Sequence, residues 1–323
     1  MARRLVGRVL FLGVTGDRRI VGFVAAGDSE VAREFRDKFH QPTHGVFIQL
    51  ELPTIPTPSD SRAKLLAELR RVHALGWIDS RQLDASGALK PCDAPQCGGF
   101  TLEAELGIPK NSEAEPDFLG WEVKQHNVAS FDRVEAGTIT LMTPEPDGGF
   151  YRERGPEAFV RKFGYADKLD RPDRLNFGGV HRVGERHTTT KLTLAGYETA
   201  RRRITDVTGC LALVSDAGEV AASWSFGKIL EHWSRKHTRA VYVPSQCRTE
   251  PRRQYAYGPR VRLAEGTDSL RLLAALAAGA VYYDPGIKLE HASSNPEIKR
   301  RSQFRVASKN IAALYETVEL VEL

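Results

Sequence analysis

An aspartate, a glutamate and a lysine stand close together in the run "PDFLGWEVKQ", as Asp117, Glu122 and Lys124. Side chains alternate between the faces of a strand, so Glu122 and Lys124 share one face while Val123 takes the other. Gly120 permits the bend that brings Asp117 to the same side. Two carboxylates in one place repel each other and resist burial, and a divalent cation relieves both costs. Mg²⁺ prefers hard oxygen ligands and keeps several waters, which suits Asp117, Glu122 and a backbone carbonyl such as that of Val123. The chemistry open to such a set is phosphodiester hydrolysis. The cation activates water and stabilises charge on the phosphate, while Lys124 holds the attacking water or a phosphate oxygen.

Alone, the spacing is weak, because average residue frequencies put it by chance in roughly one chain in twenty of this length. The plain alternative is a hairpin with exposed charges. Pro116 and the apolar Phe118, Trp121 and Val123 make the run more specific.

Elements on both sides must position it. Upstream, "SRAKLLAELRRVHALGW" places Leu65, Leu66, Leu69, Val72 and Leu75 at helical spacing, with Asp60 or Ser61 as its cap. "GFTLEAELGI" predicts a second helix whose Thr101 begins a run like a capping box. Between them, "SRQLDASGALKPCDAPQCGG" reads as loop. Downstream, "GTITLMTPEP", "HTTTKLTLAGY", "CLALVSD" and "AVYVPSQ" predict strands. "GPEAFVRKFG", "SFGKILEHWSRK" and "SLRLLAALAAG" predict helices, and "SKNIAALYETVELVEL" a helix running into a strand. This mixture is α/β with a central sheet.

The first 58 residues form a small N-terminal α/β subdomain, with "RVLFLGV", "RIVGFVA" and "GVFIQLEL" as strands and "SEVAREFRDKF" as a helix capped by Asp28 or Ser29. Packing is its default role. "FLGVTGDRR" lacks the Gly-Lys-Ser/Thr ending of a phosphate-binding loop, which argues against a nucleotide site. The proline-rich "LPTIPTPSD" is a stiff connector to residues 59–323.

With 41% hydrophobic and 27% charged residues in 323, the composition is that of a folded, water-soluble protein. No apolar stretch is long enough to span a membrane, and no signal cleavage site follows the basic start. Four cysteines, Cys92, Cys97, Cys210 and Cys247, are too few and scattered for a disulfide scaffold, which points to a reducing cytoplasm. Cys92-x4-Cys97 resembles half of a zinc knuckle, but no second pair stands at suitable spacing. The net charge of +5 is clustered. One basic run lies between 228 and 262, including Lys236, Arg239, Arg252, Arg253 and Arg262, and another between 288 and 309. Charge runs are usually solvated faces. Two of them beside a candidate metal motif favour DNA as the partner.

The run "GGFTLEAELGI" followed by "EPDFLGWEVKQ" resembles the MvaI/BcnI family of restriction endonucleases, relatives of the mismatch-repair enzyme MutH with a PD-(D/E)xK fold. The resemblance continues in order through "RKFGY", "LNFGGVHRVGE", "SWSFGKILEHWSRK", "AVYVPSQ" and "SQFRVASKNIAALYETVEL", over about residues 62–323. The later segments are individually weak, and the collinear order is the stronger argument. The family pattern falls on Asp117, Glu122 and Lys124, with Glu103 as an additional metal-assisting glutamate. Glu103 and Glu105 lie about 200° apart on a helix, so only one can face the site. The resemblance implies a MutH-like mixed central sheet flanked by helices, with a catalytic part around 98–245 and a recognition part mainly in 246–323. It implies Mg²⁺-dependent hydrolysis of double-stranded DNA, with Mn²⁺ able to substitute, leaving 5′-phosphates. It further implies a monomer that nicks one strand and then the other, and a cognate DNA methyltransferase in the same host.

For base reading, the resemblance aligns Arg305 well and His291, Asp284 and Lys288 loosely. An arginine fork reads guanine and an acidic group accepts from cytosine N4, so this set suits a G·C-containing site. Lys299, Arg300 and Arg301 read better as phosphate contacts, since most contacts position rather than specify. Arg252 and Arg253 belong to the expected DNA surface. His187 and Lys191 are candidates for a phosphate contact, although a surface histidine is commoner. Two other readings stay open: a MutH-like nicking or modification-dependent nuclease, and a DNA-binding protein with a vestigial site. The presence of all four candidate catalytic residues argues against the last.

Overall fold

The computed structural model describes residues 6–14, 20–39, 48, 50, 58–109, 116–169 and 171–323. The expected strand "GVFIQLEL", the connector "LPTIPTPSD" and the acidic residues Glu113 and Glu115 lie wholly or mostly outside these. Contacts divide the chain into Met1–Thr57 and Pro58–Leu323.

The first unit contains an antiparallel hairpin, β1 (Val9–Val14) and β2 (Ile20–Ala25), and the helix α1 (Glu30–Lys38). Ser29 is the cap of α1, accepting from Ala32 N at 3.2 Å.

The second unit begins with α2 (Pro58–Ala74), the short strand β3 (Ile78–Asp79) and the hairpin β4 (Arg81–Leu83) and β5 (Leu89–Pro91). Next come α3 (Cys97–Glu105), β6 (Glu122–Asn127), β7 (Thr138–Met142) and α4 (Gly149–Phe163). Then follow β8 (Tyr165–Ala166), β9 (Arg174–Gly178), β10 (Arg186–His187), β11 (Thr190–Ala195), β12 (Tyr197–Glu198), β13 (Arg203–Ile204), β14 (Cys210–Ser215) and β15 (Val220–Ser225). The chain continues through α5 (Phe226–Lys236), β16 (Arg239–Arg248), β17 (Gln254–Tyr257), β18 (Arg260–Glu265) and α6 (Ser269–Ala277). It closes with β19 (Val281–Tyr283), β20 (Gly286–Glu290), β21 (Glu297–Lys299), β22 (Phe304–Ala307), a 3₁₀ turn over Ser308–Leu314, and β23 (Thr317–Glu322).

The sheet that matters for function is six-stranded: β23, β18, β16, β17 and β3 run in that order, and β6 pairs with β16 in parallel. Its two faces bury different cores. Val241 and Val243 of β16 join Val123, Trp121, Leu65, Leu69 and Tyr255 under α2 and α3. Ala240 and Tyr242 join Trp224, Trp233, Phe159 and Phe304 with α4, α5 and α6. Strand alternation alone produces this division.

Several expectations need correction. α2 starts at Pro58 rather than behind a cap at Asp60 or Ser61. Ser61 is instead buried against Trp121, whose Nε1 donates to its hydroxyl. α3 starts at Cys97, so Thr101 is a mid-helix residue; its hydroxyl accepts from Arg81 N and donates to Arg81 O, both at 3.1 Å. The stretch expected as loop contains the hairpin β4–β5, whose turn Asp84 organises by accepting from the Ser86 and Ala88 amides. The helix expected near 308 is a 3₁₀ turn. Cys92 and Cys97 form a disulfide, although the few and scattered cysteines pointed to a reducing compartment, and the pair is therefore not half of a zinc knuckle. No helix among the described residues is long and apolar enough to cross a membrane.

Candidate active site

The site begins as a two-residue turn. Phe118 and Trp121 exchange backbone hydrogen bonds at 2.9 and 2.8 Å, and the residues between them, Leu119 and Gly120, both have positive φ, 48° and 81°. Phe118 and Trp121 form an isolated antiparallel bridge, and such a two-residue turn leads directly into the strand that follows. Holding Leu119 there costs about 1 kcal/mol. Burial of the Trp121 ring offsets that cost; the ring is fully buried, its Nε1 donates to Ser61 Oγ at 3.3 Å, and Arg239 covers one face.

β6 then runs from Glu122 and pairs only with β16 among the described strands. No described strand pairs with its other edge. There the Val123 amide donates to Asp117 Oδ2 at 3.0 Å. The N–H and C=O of one residue in a strand point to the same edge, so the Val123 carbonyl is directed toward Asp117 as well. Glu122 and Lys124 stand opposite Ala240 and Tyr242 of β16, on the α5 side of the sheet. Glu122 is 1% exposed, its Oε1 accepts from Lys124 Nζ, and its Oε2 has no hydrogen-bond partner among the described residues.

Two helices close around this edge. α3 approaches tightly because Gly98 has no side chain; a Cβ there would meet the Gln125 side chain at 3.0 Å. The two acidic residues of α3 diverge as a helix requires. Glu105 turns to Arg81, whose Nε donates at 2.7 Å, and lies 3.9 Å from Arg71. Glu103 faces Asp117, Glu122 and Lys124. On the other side, Ser225 caps α5 and is held by Asp147 through its amide at 2.9 Å. α5 carries Lys228, His232 and Lys236 one turn apart, and the Lys236 ammonium lies 3.9 Å from both Asp117 Oδ1 and Glu122 Oε2.

The electrostatics follow from crowding three carboxylates in a half-buried edge. Burial, then the Asp117 charge, lifts the Glu103 carboxyl to about 7, against the pull of Lys124. Burial also raises Glu122, opposed chiefly by Lys124. For Lys124, burial pulls downward, but Glu122, Asp117 and Glu103 together leave it above the usual lysine range. His237, stacked on Trp233 at 4.1 Å, is held neutral by burial and by Lys124. Among the described residues no three carboxylate, imidazole or thiol groups form a ready cation cage. The acids here are interleaved with two lysines.

The residues expected at the DNA surface are dispersed. Arg305 Nη1 donates to Asp284 Oδ2 at 2.7 Å, so these two form one unit. Arg300, Arg301 and Arg305 line a cleft with Gln96, Glu145 and Gln303. Lys288 sits opposite Lys299 on β20–β21, Lys299 pairs with Glu290, and His291 occupies the exposed turn between them with φ 55°. Arg252 and Arg253 are ion-paired with Asp79 and Asp93 at 2.8 and 2.7 Å. His187 packs against His181 at 4.5 Å in the sheet of β10 and β11, where Lys191 is exposed. Neither has a described hydrogen bond or ion pair to the carboxylates. The run 228–262 is not one basic face: Arg262 is buried and donates to Ser308 O at 2.7 Å, and Arg260 donates to Phe131 O at 3.0 Å.

Lys236, in sequence one charge among many in that run, is the unforeseen member of the site. The available signal was the spacing of Lys228, His232 and Lys236 along one helix face just before a strand.

Residues 66–315 match the family model of the MvaI/BcnI restriction endonucleases. Restriction endonuclease MvaI in complex with its cognate DNA substrate is similar in fold, with a TM-score of 0.58 at 15% identity, covering 80% of this chain and 97% of that one. MvaI in the absence of DNA gives 0.42 at 14% identity, covering 84% and 100%. No curated protein matches the sequence. With the family match spanning most of its length, this mixed α/β chain belongs to the MvaI/BcnI restriction endonuclease family.

Proposed function

We propose that this protein is a sequence-specific type II restriction endonuclease that hydrolyses phosphodiester bonds of double-stranded DNA on a PD-(D/E)xK, MutH-like core, using Mg²⁺ or Mn²⁺ and leaving 5′-phosphate ends. The observation that carries the reading is the convergence of Asp117, Glu122 and Lys124 at the start of β6, with a buried carboxylate oxygen, Glu122 Oε2, that has no hydrogen-bond partner among the described residues. The donor set fits a hard cation: Asp117, Glu122 and the Val123 carbonyl would hold it, with Glu103 assisting. When bound, such a cation neutralises charge on the scissile phosphate and lowers the pKa of a water.

The chain's own groups do the rest. The Val123 amide fixes the Asp117 carboxylate, Lys124 holds the attacking water or a phosphate oxygen, and Glu103 retains its proton to about pH 7 while no cation is present. Arg305, oriented by Asp284, presents a fork suited to guanine, and Asp284 can accept from cytosine. Lys299, Arg300 and Arg301 serve the phosphates, with Lys288, His291, Arg252, Arg253, His187 and Lys191 as further contacts. The solved MvaI complex with cognate DNA supports duplex DNA as the substrate. The enzyme works in the cytoplasm as a monomer, nicking the strands in turn, beside a methyltransferase that protects host DNA.

The test is digestion of unmethylated plasmid with Mg²⁺, with sequencing of the fragment ends. Discrete fragments with one shared end sequence are expected, and Lys124→Ala should abolish cutting while retaining DNA binding. Nicks alone would favour a MutH-like enzyme, and inactivity on every duplex would overturn the nuclease reading.

A further inference from the structure

The oxygens of Asp117 and Glu122 are unequally occupied. Asp117 Oδ2 accepts from the Val123 amide and Glu122 Oε1 accepts from Lys124. Glu122 Oε2 is buried and takes no hydrogen bond among the described residues, and both it and Asp117 Oδ1 lie 3.9 Å from one atom, Lys236 Nζ. That distance is an ion pair without a hydrogen bond. Lys236 is the last residue of α5, on a different element from either acid, and its side chain is 19% exposed. A lysine at a helix C-terminus is favoured by the helix dipole, but the dipole does not aim it at two carboxylates of another element.

We propose that Lys236 is a resident counter-ion: its ammonium occupies the place between these two carboxylate oxygens that a divalent cation takes, and must be displaced when the cation enters. This inference rests on the cation-binding reading above. Lys124 is fixed to Glu122 by a hydrogen bond and stays, whereas Lys236 makes no side-chain hydrogen bond to the described residues and meets the two acids only at 3.9 Å. Lys228 and His232 precede Lys236 at one-turn spacing on α5, so the displaced ammonium remains beside the site on that helix face and is free to meet a phosphate oxygen. Cation entry and phosphate binding thereby become coupled through one side chain. In the DNA-free protein, Lys236 lowers cation affinity and keeps the buried acids compensated.

The experiment is Mn²⁺ titration of the full-length, DNA-free protein at fixed pH and ionic strength, followed by the electron paramagnetic resonance of free Mn²⁺. Lys236→Gln should bind Mn²⁺ roughly tenfold more tightly than the parent, the scale expected for removing one nearby positive charge in a partly screened site. Lys236→Arg retains the charge and can bridge both acids with its fork, and should bind no more tightly than the parent. Circular dichroism confirms that each variant is folded. Unchanged or weaker Mn²⁺ binding by Lys236→Gln, or tighter binding by Lys236→Arg, overturns the counter-ion role. Glu122→Gln separates the two readings: if Lys236→Gln and Glu122→Gln both leave Mn²⁺ binding as in the parent, the cation site itself is refuted.

Discussion

Replacing Glu103 by glutamine removes a titration, and its effect on stability can be worked out beforehand. The folded carboxyl holds its proton up to about pH 7, while an unperturbed glutamate loses it near 4.5. Between those values the folded protein binds more protons than the unfolded chain, so stability falls as pH rises. The penalty is absent below the unfolded value and complete above the folded one. At about 1.4 kcal/mol for each pH unit between them, it amounts to about 3 kcal/mol. Glutamine has the same shape and no proton to lose. Urea denaturation of both proteins with a chelator present, followed by circular dichroism from pH 4.5 to 8, isolates the effect. The difference in unfolding free energy should move by about 3 kcal/mol in favour of Glu103→Gln, with most of the change between pH 5 and 7. A difference constant with pH would refute the placement of Glu103 among Asp117, Glu122 and Lys124.

Two further outcomes follow from packing and charge. Trp121→Ala empties a fully buried ring site and should cost about 3–5 kcal/mol in denaturant titration, enough to disorder the turn that carries Asp117. Replacing Arg300 and Arg301 together by glutamine should reduce the slope of log affinity against log salt by about 2, whereas Arg305→Ala should cost about 1–3 kcal/mol and relax discrimination at one base pair. Equal effects of these changes on the salt slope would contradict that division of labour.

Strand period and one glycine sufficed to place Glu122, Lys124 and Asp117, because these are local geometric facts. Likewise, the angular separation of Glu103 and Glu105 depends only on helix pitch, and the two residues do diverge, one to the carboxylates and one to Arg81. Helix spacing marked a face with Lys236 on it but not what that face meets, because Lys236 reaches the acids only through the parallel pairing of β6 with β16, a contact between segments far apart in the chain. The burial of Arg262 was hidden for the same reason: its acceptors on Ser308 and Val134 come from distant segments. At β4–β5 the error was different. A composition rich in turn residues suggests loop, yet Asp84 uses such residues to close a hairpin.

The parallel register of β6 on β16 also has a consequence for synthesis. A nascent chain on the ribosome displays Asp117, Glu122 and Lys124 long before residues 239–248 are translated, and until then β6 has no strand to rest on. α5, which closes the far side of the site, immediately precedes β16 and arrives equally late. Prematurely terminated chains therefore carry the acidic and basic side chains without the wall that gathers them. The site is completed only by the last third of the chain, and a copy that ends before residue 226 lacks both α5 and the strand that β6 pairs with.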